Sequence, residues 1–299
     1  MFKNVVVGVD EGEGGRDAIA LAKRLVERDG ELTLAYVYHG DPQVWRGSSP
    51  PYEAVEHERS LELLARERDE AAISAEMRCV GASSVGRGLH VLAETVGADL
   101  LVIGSSRHGV LGRVLLGDDT RAALNGAPCA VAIAIAGYSR EPGVMREIGI
   151  GYNGSAESEH ALEIARELAR EHGAKLSAFE AVSLPTYAFV GGPAPLAAVL
   201  EEMVKDARRR VAELEGVEPH AAYGQAAEEL ALYSASLDLL VVGSRDYGPV
   251  GRLVHGSTSH QLARSARCPL LVLTRAARAA EPMDAPEDGR EAAASGAAS

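Results

Sequence analysis

The sequence predicts an α/β fold built twice, as two doubly wound parallel sheets in tandem, and three observations lead there. Residues 98–117 recur as residues 237–256 at one constant offset: Gly104 meets Gly243, Gly112-Arg113 meets Gly251-Arg252, and Gly117 meets Gly256. A pattern written twice in this way marks one structural unit repeated. Short apolar runs alternate with charged segments of helical period in both halves, as parallel strands with crossover helices require. A length of 299 residues with 46% hydrophobic content is enough for two ordinary cores.

Taken in order, residues 5–9 read as a buried strand. Residues 16–29 read as a helix with apolar positions at Ile19, Ala22, Leu25 and Val26, and residues 32–38 as the next strand. A proline- and glycine-rich loop, 40–51, carries the lone Trp45 and leads into a polar helix over 52–75. A weak strand at 76–80, a helix at 89–97, a strand at 100–103, a helix after Gly117 and a strand at 130–136 complete the first half. The second half repeats this order, with strands at 147–152, 175–182, 220–223, 239–242 and 270–274 and helices at 157–172, 196–214 and 226–236. The layout divides into a first domain at 1–137, a linker at 138–146, a second domain at 147–275 and an acidic, Ala-rich tail at 276–299. The tail has few large apolar residues to bury and is expected to be disordered.

Bulk charge narrows the partners. A formal net charge of -13, with basic residues scattered among acidic ones, argues against a nucleic-acid partner. The longest apolar run, 130–136, is far below the ~20 residues of a membrane helix. Three cysteines with no close pair, and no basic-then-apolar leader, point to a reducing cytoplasm. Cys129 and Cys268 match by repeat and read as small packing residues.

In an open parallel sheet a ligand binds past the carboxyl ends of the strands, where the strand order reverses. Asp10 ends the first strand and Asn153 is its counterpart. Each either faces that crevice or serves as a helix cap or turn residue. Gly104 and Gly243 come directly off a strand, where a missing side chain lets the backbone either approach a ligand or turn with positive φ. Gly117 and Gly256 precede the closing helix of each half. Gly256 is followed by Ser257-Thr258-Ser259, hydroxyls suited to an anion at a helix N-terminus. Gly117 is followed by Asp118-Asp119-Thr120, whose carboxylates cap a helix but repel a phosphate. No nucleophile elbow, Walker lysine or zinc-protease motif occurs. His255 and His260, five residues apart, do not share a helix face, so no metal site is expected.

These residues together resemble the universal stress protein family, in tandem form, over nearly everything before the tail. Nucleotide-binding members carry Gly, two residues, Gly, nine residues, then Gly followed by Ser or Thr. The second half supplies Gly243, Asp246, Gly256 and Ser257 at those positions, and the first supplies Gly104, Arg107, Gly117 and Asp118. Both copies lack the second glycine, and the first also lacks the hydroxyl. The resemblance implies five-stranded sheets of order 3-2-1-4-5, of the adenine nucleotide alpha hydrolase-like type, paired through their last strands. It also implies ATP with Mg2+ as the ligand, adenosine near Asp10 or Asn153, and phosphates on the loop from Gly243 to Ser257 beside Thr258. Arg245 would either contact a phosphate or stay solvated, and Asp246 would either support a hydrated metal or exclude the phosphates. The expected function is a cytoplasmic, nucleotide-responsive regulator that binds rather than catalyses, with at most slow incidental ATP hydrolysis. The alternative is a stress scaffold with degenerate glycine loops that binds no nucleotide. Besides adenine nucleotide, the expected partners are the other half of the same chain and a second copy in a homodimer, with no nucleic acid or membrane.

Overall fold

A computed structural model describes residues 1–39, 50–105, 118–183, 196–244 and 257–273. The first half contains β1 (Phe2–Gly8), α1 (Glu13–Leu25), β2 (Val26–His39), α2 (Pro50–Glu70), β3 (Glu76–Ala82), α3 (Val85–Val96), β4 (Leu100–Gly104), α4 (Asp118–Leu124) and β5 (Ala130–Ala134). The second contains β6 (Glu147–Gly151), α5 (Ala156–His172), β7 (Lys175–Val182), α6 (Leu196–Ala212), β8 (Glu218–Tyr223), α7 (Ala226–Tyr233), β9 (Leu239–Gly243), α8 (Ser257–Ser265) and β10 (Leu270–Leu273).

The strands form one ten-stranded sheet in the order β3-β2-β1-β4-β5-β10-β9-β6-β7-β8. Each half is parallel in the order 3-2-1-4-5. The halves join where β5 and β10 pair antiparallel, with Leu270 opposite Ile133, Leu271 opposite Ala132 and Val272 opposite Val131. The last strands are therefore central, covered on both faces, which explains why β4, β5, β9 and β10 are nearly uninterrupted apolar runs. On one face α1, α2, α5 and α6 close a core that runs across both halves. On the other face α3, α4, α7 and α8 do the same.

Several element ends differ from the sequence expectation: the polar helix stops at Glu70 rather than 75 and the helix from Ala226 stops at Tyr233 rather than 236, and two further cases have a clear cause. The first helix ends at Leu25 rather than near residue 29, because Val26 is already extended (φ -72, ψ 141) and pairs with Phe2 of β1. The apolar Val26 that reads as a helix face is a strand residue, and a register shift follows before Glu31 meets Asn4. The third helix begins at Val85, not 89. Ser84 caps it by accepting from Arg87 N, and Gly86, a weak helix former, is needed where α3 meets α4. A Cβ at Gly86 would lie 2.4 Å from the carbonyl carbon of Ala122.

The repeated Asp before β4 and β9 has a structural task at the far end of the sheet. Asp99 accepts from Lys3 N (2.8 Å) and Asn4 N (3.0 Å), and Asp238 accepts from Arg146 N (2.7 Å) and Glu147 N (2.9 Å). Both satisfy backbone donors at the start of the first strand of their half.

Candidate functional site

The strand order reverses between β1 and β4 in the first half and between β6 and β9 in the second. At the first reversal Asp10 follows β1. Its Oδ1 accepts from Gly12 N (2.9 Å) and Gly15 N (3.1 Å). The N-cap residue of α1, Gly12, has no side chain to do this, so Asp10 serves as the cap from outside the helix. Gly104 lies against the same turn, where a Cβ would sit 2.1 Å from Gly14 O. Its φ is not positive, so the turn reading fails, and the missing Cβ makes room for the backbone of α1. Beyond it Ser105 is buried and donates from N to Ala134 O (3.1 Å), and Thr120 Oγ1 donates to Gly104 O (3.1 Å). The last bond pins the start of α4 to the end of β4.

The second crevice is built on the same frame with different chemistry. Asn153 is exposed, and its Oδ1 accepts from Ser155 N (3.1 Å). Ser155 itself caps α5 by accepting from Ser158 N (3.3 Å), so Asn153 is released from that task. Its Nδ2 group is paired with no described residue. Gly243 again meets the helix backbone, with a Cβ placed 2.4 Å from Glu157 O. Glu157 occupies the position of Gly14, so a carboxylate borders this crevice where the first half has none. Only the register from Asp10 to Asn153 signals that residue in the sequence. Past Gly243, Ser244 is buried, α8 starts at Ser257, Thr258 is half-buried and Ser259 is buried like its counterpart Thr120. Gly117, Arg245, Asp246, Gly256, Trp45, Arg107, His255 and the tail at 276–299 lie outside the described residues.

Chemistry outside the crevices is largely quenched. Burial pushes the Cys129 thiol up to about 12, and burial also raises Cys268. Among the described residues no group of three or more His, Cys, Asp or Glu is arranged to hold a metal ion. An open cavity of about 510 Å³ lies between α1 and α2, away from both crevices. Its charged groups are already engaged: Arg16 with Glu67 (2.9 Å), Lys23 with Ala71 O (3.0 Å) and Arg24 with Pro142 O (3.5 Å). No described helix is long and apolar enough to cross a membrane.

A sequence model of the universal stress protein family matches residues 1–134 and 145–274. The chain belongs to that family. A universal stress protein of Mycobacterium tuberculosis is 28% identical over 292 residues, which cover 90% of this chain and 96% of the relative. A universal stress protein of Thermus aquaticus is 31% identical over 137 residues, 44% of this chain and 99% of its own. The crystal structure of a universal stress protein from Archaeoglobus fulgidus superposes with a TM-score of 0.62 at 18% identity, over 91% of this chain and 98% of that one. The structural match establishes the tandem α/β fold of this universal stress protein, and the mycobacterial relative shares its two-unit length, whereas the Thermus aquaticus relative has the length of one unit.

Proposed function

We propose that this universal stress protein is a cytoplasmic, nucleotide-responsive regulator that works by binding, and that its second half carries the stronger adenine-nucleotide site. The observation that carries this reading is the different use of Asp10 and Asn153. Asp10 is spent on capping α1, whereas α5 is capped by its own Ser155, leaving the neutral Asn153 amide exposed over β6 and β9. At the far wall α8 begins Ser257-Thr258-Ser259, and α4 begins Asp118-Asp119-Thr120. An anion is favoured at a helix N-terminus bearing hydroxyls and opposed by carboxylates. One like charge at about 4 Å costs roughly 1 kcal/mol in bulk water and about 4 at a protein surface, and about 1.4 kcal/mol is already tenfold in affinity. Arg245 and Asp246 would complete the phosphate wall, with Mg2+ offsetting the Asp246 and Glu157 charges. Gly104, Gly117 and Asp10 then form a weaker or vacant first site.

Isothermal titration with ATP and Mg2+ tests the reading. One site per chain is expected. Ser257→Asp should remove at least tenfold in affinity while the fold survives, because Asp still caps a helix. Tight binding retained in that variant, or binding confined to the first half, would refute the site. Absence of binding to the parent chain would favour the scaffold that binds no nucleotide.

A further inference from the structure

Asp17, in the second turn of α1, is 1% exposed and has no part in either crevice. Its carboxylate accepts three hydrogen bonds from the segment that joins β5 to β6: Gly137 N (2.8 Å), Ser139 N (2.7 Å) and Ser139 Oγ (2.7 Å). On the turn before it, Glu13 pairs with Arg140 of the same segment. At the other end of the helix Arg24 donates to Pro142 O (3.5 Å), and Arg24 O accepts from His172 of α5 (2.8 Å). The joining segment is itself anchored, with Tyr138 and Met145 buried in the core that spans both halves. One helix therefore holds the junction along its length, and that same helix starts at the first crevice, capped by Asp10 and packed against Gly104.

Among the described residues, which end at Leu273, the second half shows no equivalent. The register that aligns Asp10 with Asn153 places His160 where Asp17 stands, and the His160 ring lies 3.7 Å from Glu163 on its own helix. We propose that the first two turns of α1 are a latch that couples the first crevice to the junction between halves. A ligand that recruits the Asp10 carboxylate withdraws it from Gly12 and Gly15, frays the first turn, and loosens the grip of Glu13 and Asp17 on residues 137–140. The first half then acts as the junction-controlling half, which gives a role to a crevice whose carboxylates oppose phosphate. The latch stands on the geometry alone; adenine nucleotide as its trigger would act through the weaker first site of the function proposed above, at concentrations beyond those that fill the second.

Amide hydrogen exchange on the full chain tests this, because the Gly137 and Ser139 amides are themselves the bonded donors. Asp10→Ala, with the milder Asp10→Asn as a second variant, should speed exchange at Gly137 and Ser139 by about 5- to 10-fold without any ligand, the range set by loss of one helix cap. Core amides of β9 should not change. In Asp17→Asn, where one acceptor becomes a donor, those amides should already exchange fast, and adding Asp10→Asn should accelerate them little further. Acceleration at Gly12 and Gly15 with none at Gly137 and Ser139 would overturn the latch, as would uniform acceleration across the chain or additive effects of the two substitutions. The ATP and Mg2+ arm reads the trigger separately. If the Asp10 variants loosen the junction but nucleotide leaves the parent unchanged, the latch holds and the nucleotide trigger fails.

Discussion

At the scale of single residues, the repeated glycines at the strand ends are explained by packing before any ligand is considered. Gly104 and Gly243 each face helix backbone, which cannot move aside as a flexible side chain can. Gly104→Ala and Gly243→Ala should each destabilise the fold by about 1–3 kcal/mol, as overpacking does. Gly143→Ala, where a Cβ meets nothing within 4 Å, should change stability by less than about 0.5 kcal/mol. Urea denaturation compares the three. The buried thiols make a second prediction. Cys129 rises from an ordinary value of 9.0 to about 12 because burial disfavours the thiolate. A raised folded-state value means that the unfolded chain loses its proton first, so the stability from this thiol is complete below pH 9 and is lost as pH climbs toward 12. Melting temperature should fall across that window, and Cys129→Ala should flatten the fall. At pH 8 a thiol reagent should modify the half-buried Cys79 in the native chain, leaving Cys129 and Cys268 untouched.

At the scale of elements, the two halves solve one packing problem in two ways. Where the first half places Val6 on its first strand, Ala35 on its second and Leu92 on its third helix, the second half places Gly149, Phe179 and Tyr233. The Tyr233 ring stacks on Phe179 at 5.0 Å between centroids, and its hydroxyl meets Ser177 Oγ. A Cβ at Gly149 would lie 2.8 Å from that ring and 2.3 Å from Leu237. Volume removed from the strand is returned by the helix, as dense packing demands. Gly149→Val should therefore destabilise by about 1–3 kcal/mol, and Tyr233→Leu in the same chain should recover part of that loss. A double-mutant cycle in urea measures the coupling, and simple additivity would show that the two positions do not share one space.

At the scale of the whole molecule, the pairing of β5 with β10 turns two edge strands into the middle of one sheet. An unpaired apolar edge invites a partner, and both strands are buried only because each has the other. Residues 1–137 produced alone should therefore associate through β5, and residues 147–275 through β10, as size-exclusion chromatography with light scattering would show. The intact chain should not be driven to associate through these strands. A strictly monomeric first half would mean that α1 and the 135–146 segment, rather than the strand pair, hold the halves together.

The repeat, the alternation of strands and helices, and the place of the strand-order reversals are legible in the amino-acid sequence. These follow from periodicity and from glycines at strand ends, which are local signals. Which half offers hydroxyls and which offers carboxylates at the closing helix is legible as well, since that is written in Ser257-Thr258 and Asp118-Asp119. Folding settles that Asp10 caps a helix it does not belong to, that Gly104 and Gly243 yield to helix backbone, and that Glu157 borders the second crevice. The early end of α1 at Leu25 and the early start of α3 at Val85 were likewise settled by strand pairing and by contact with α4. Asp17 left no trace in the sequence, because its three partners lie 120 and 122 residues away. A hydrogen bond across that separation has no periodicity to betray it. Its energy depends on burial that exists only once both halves have folded.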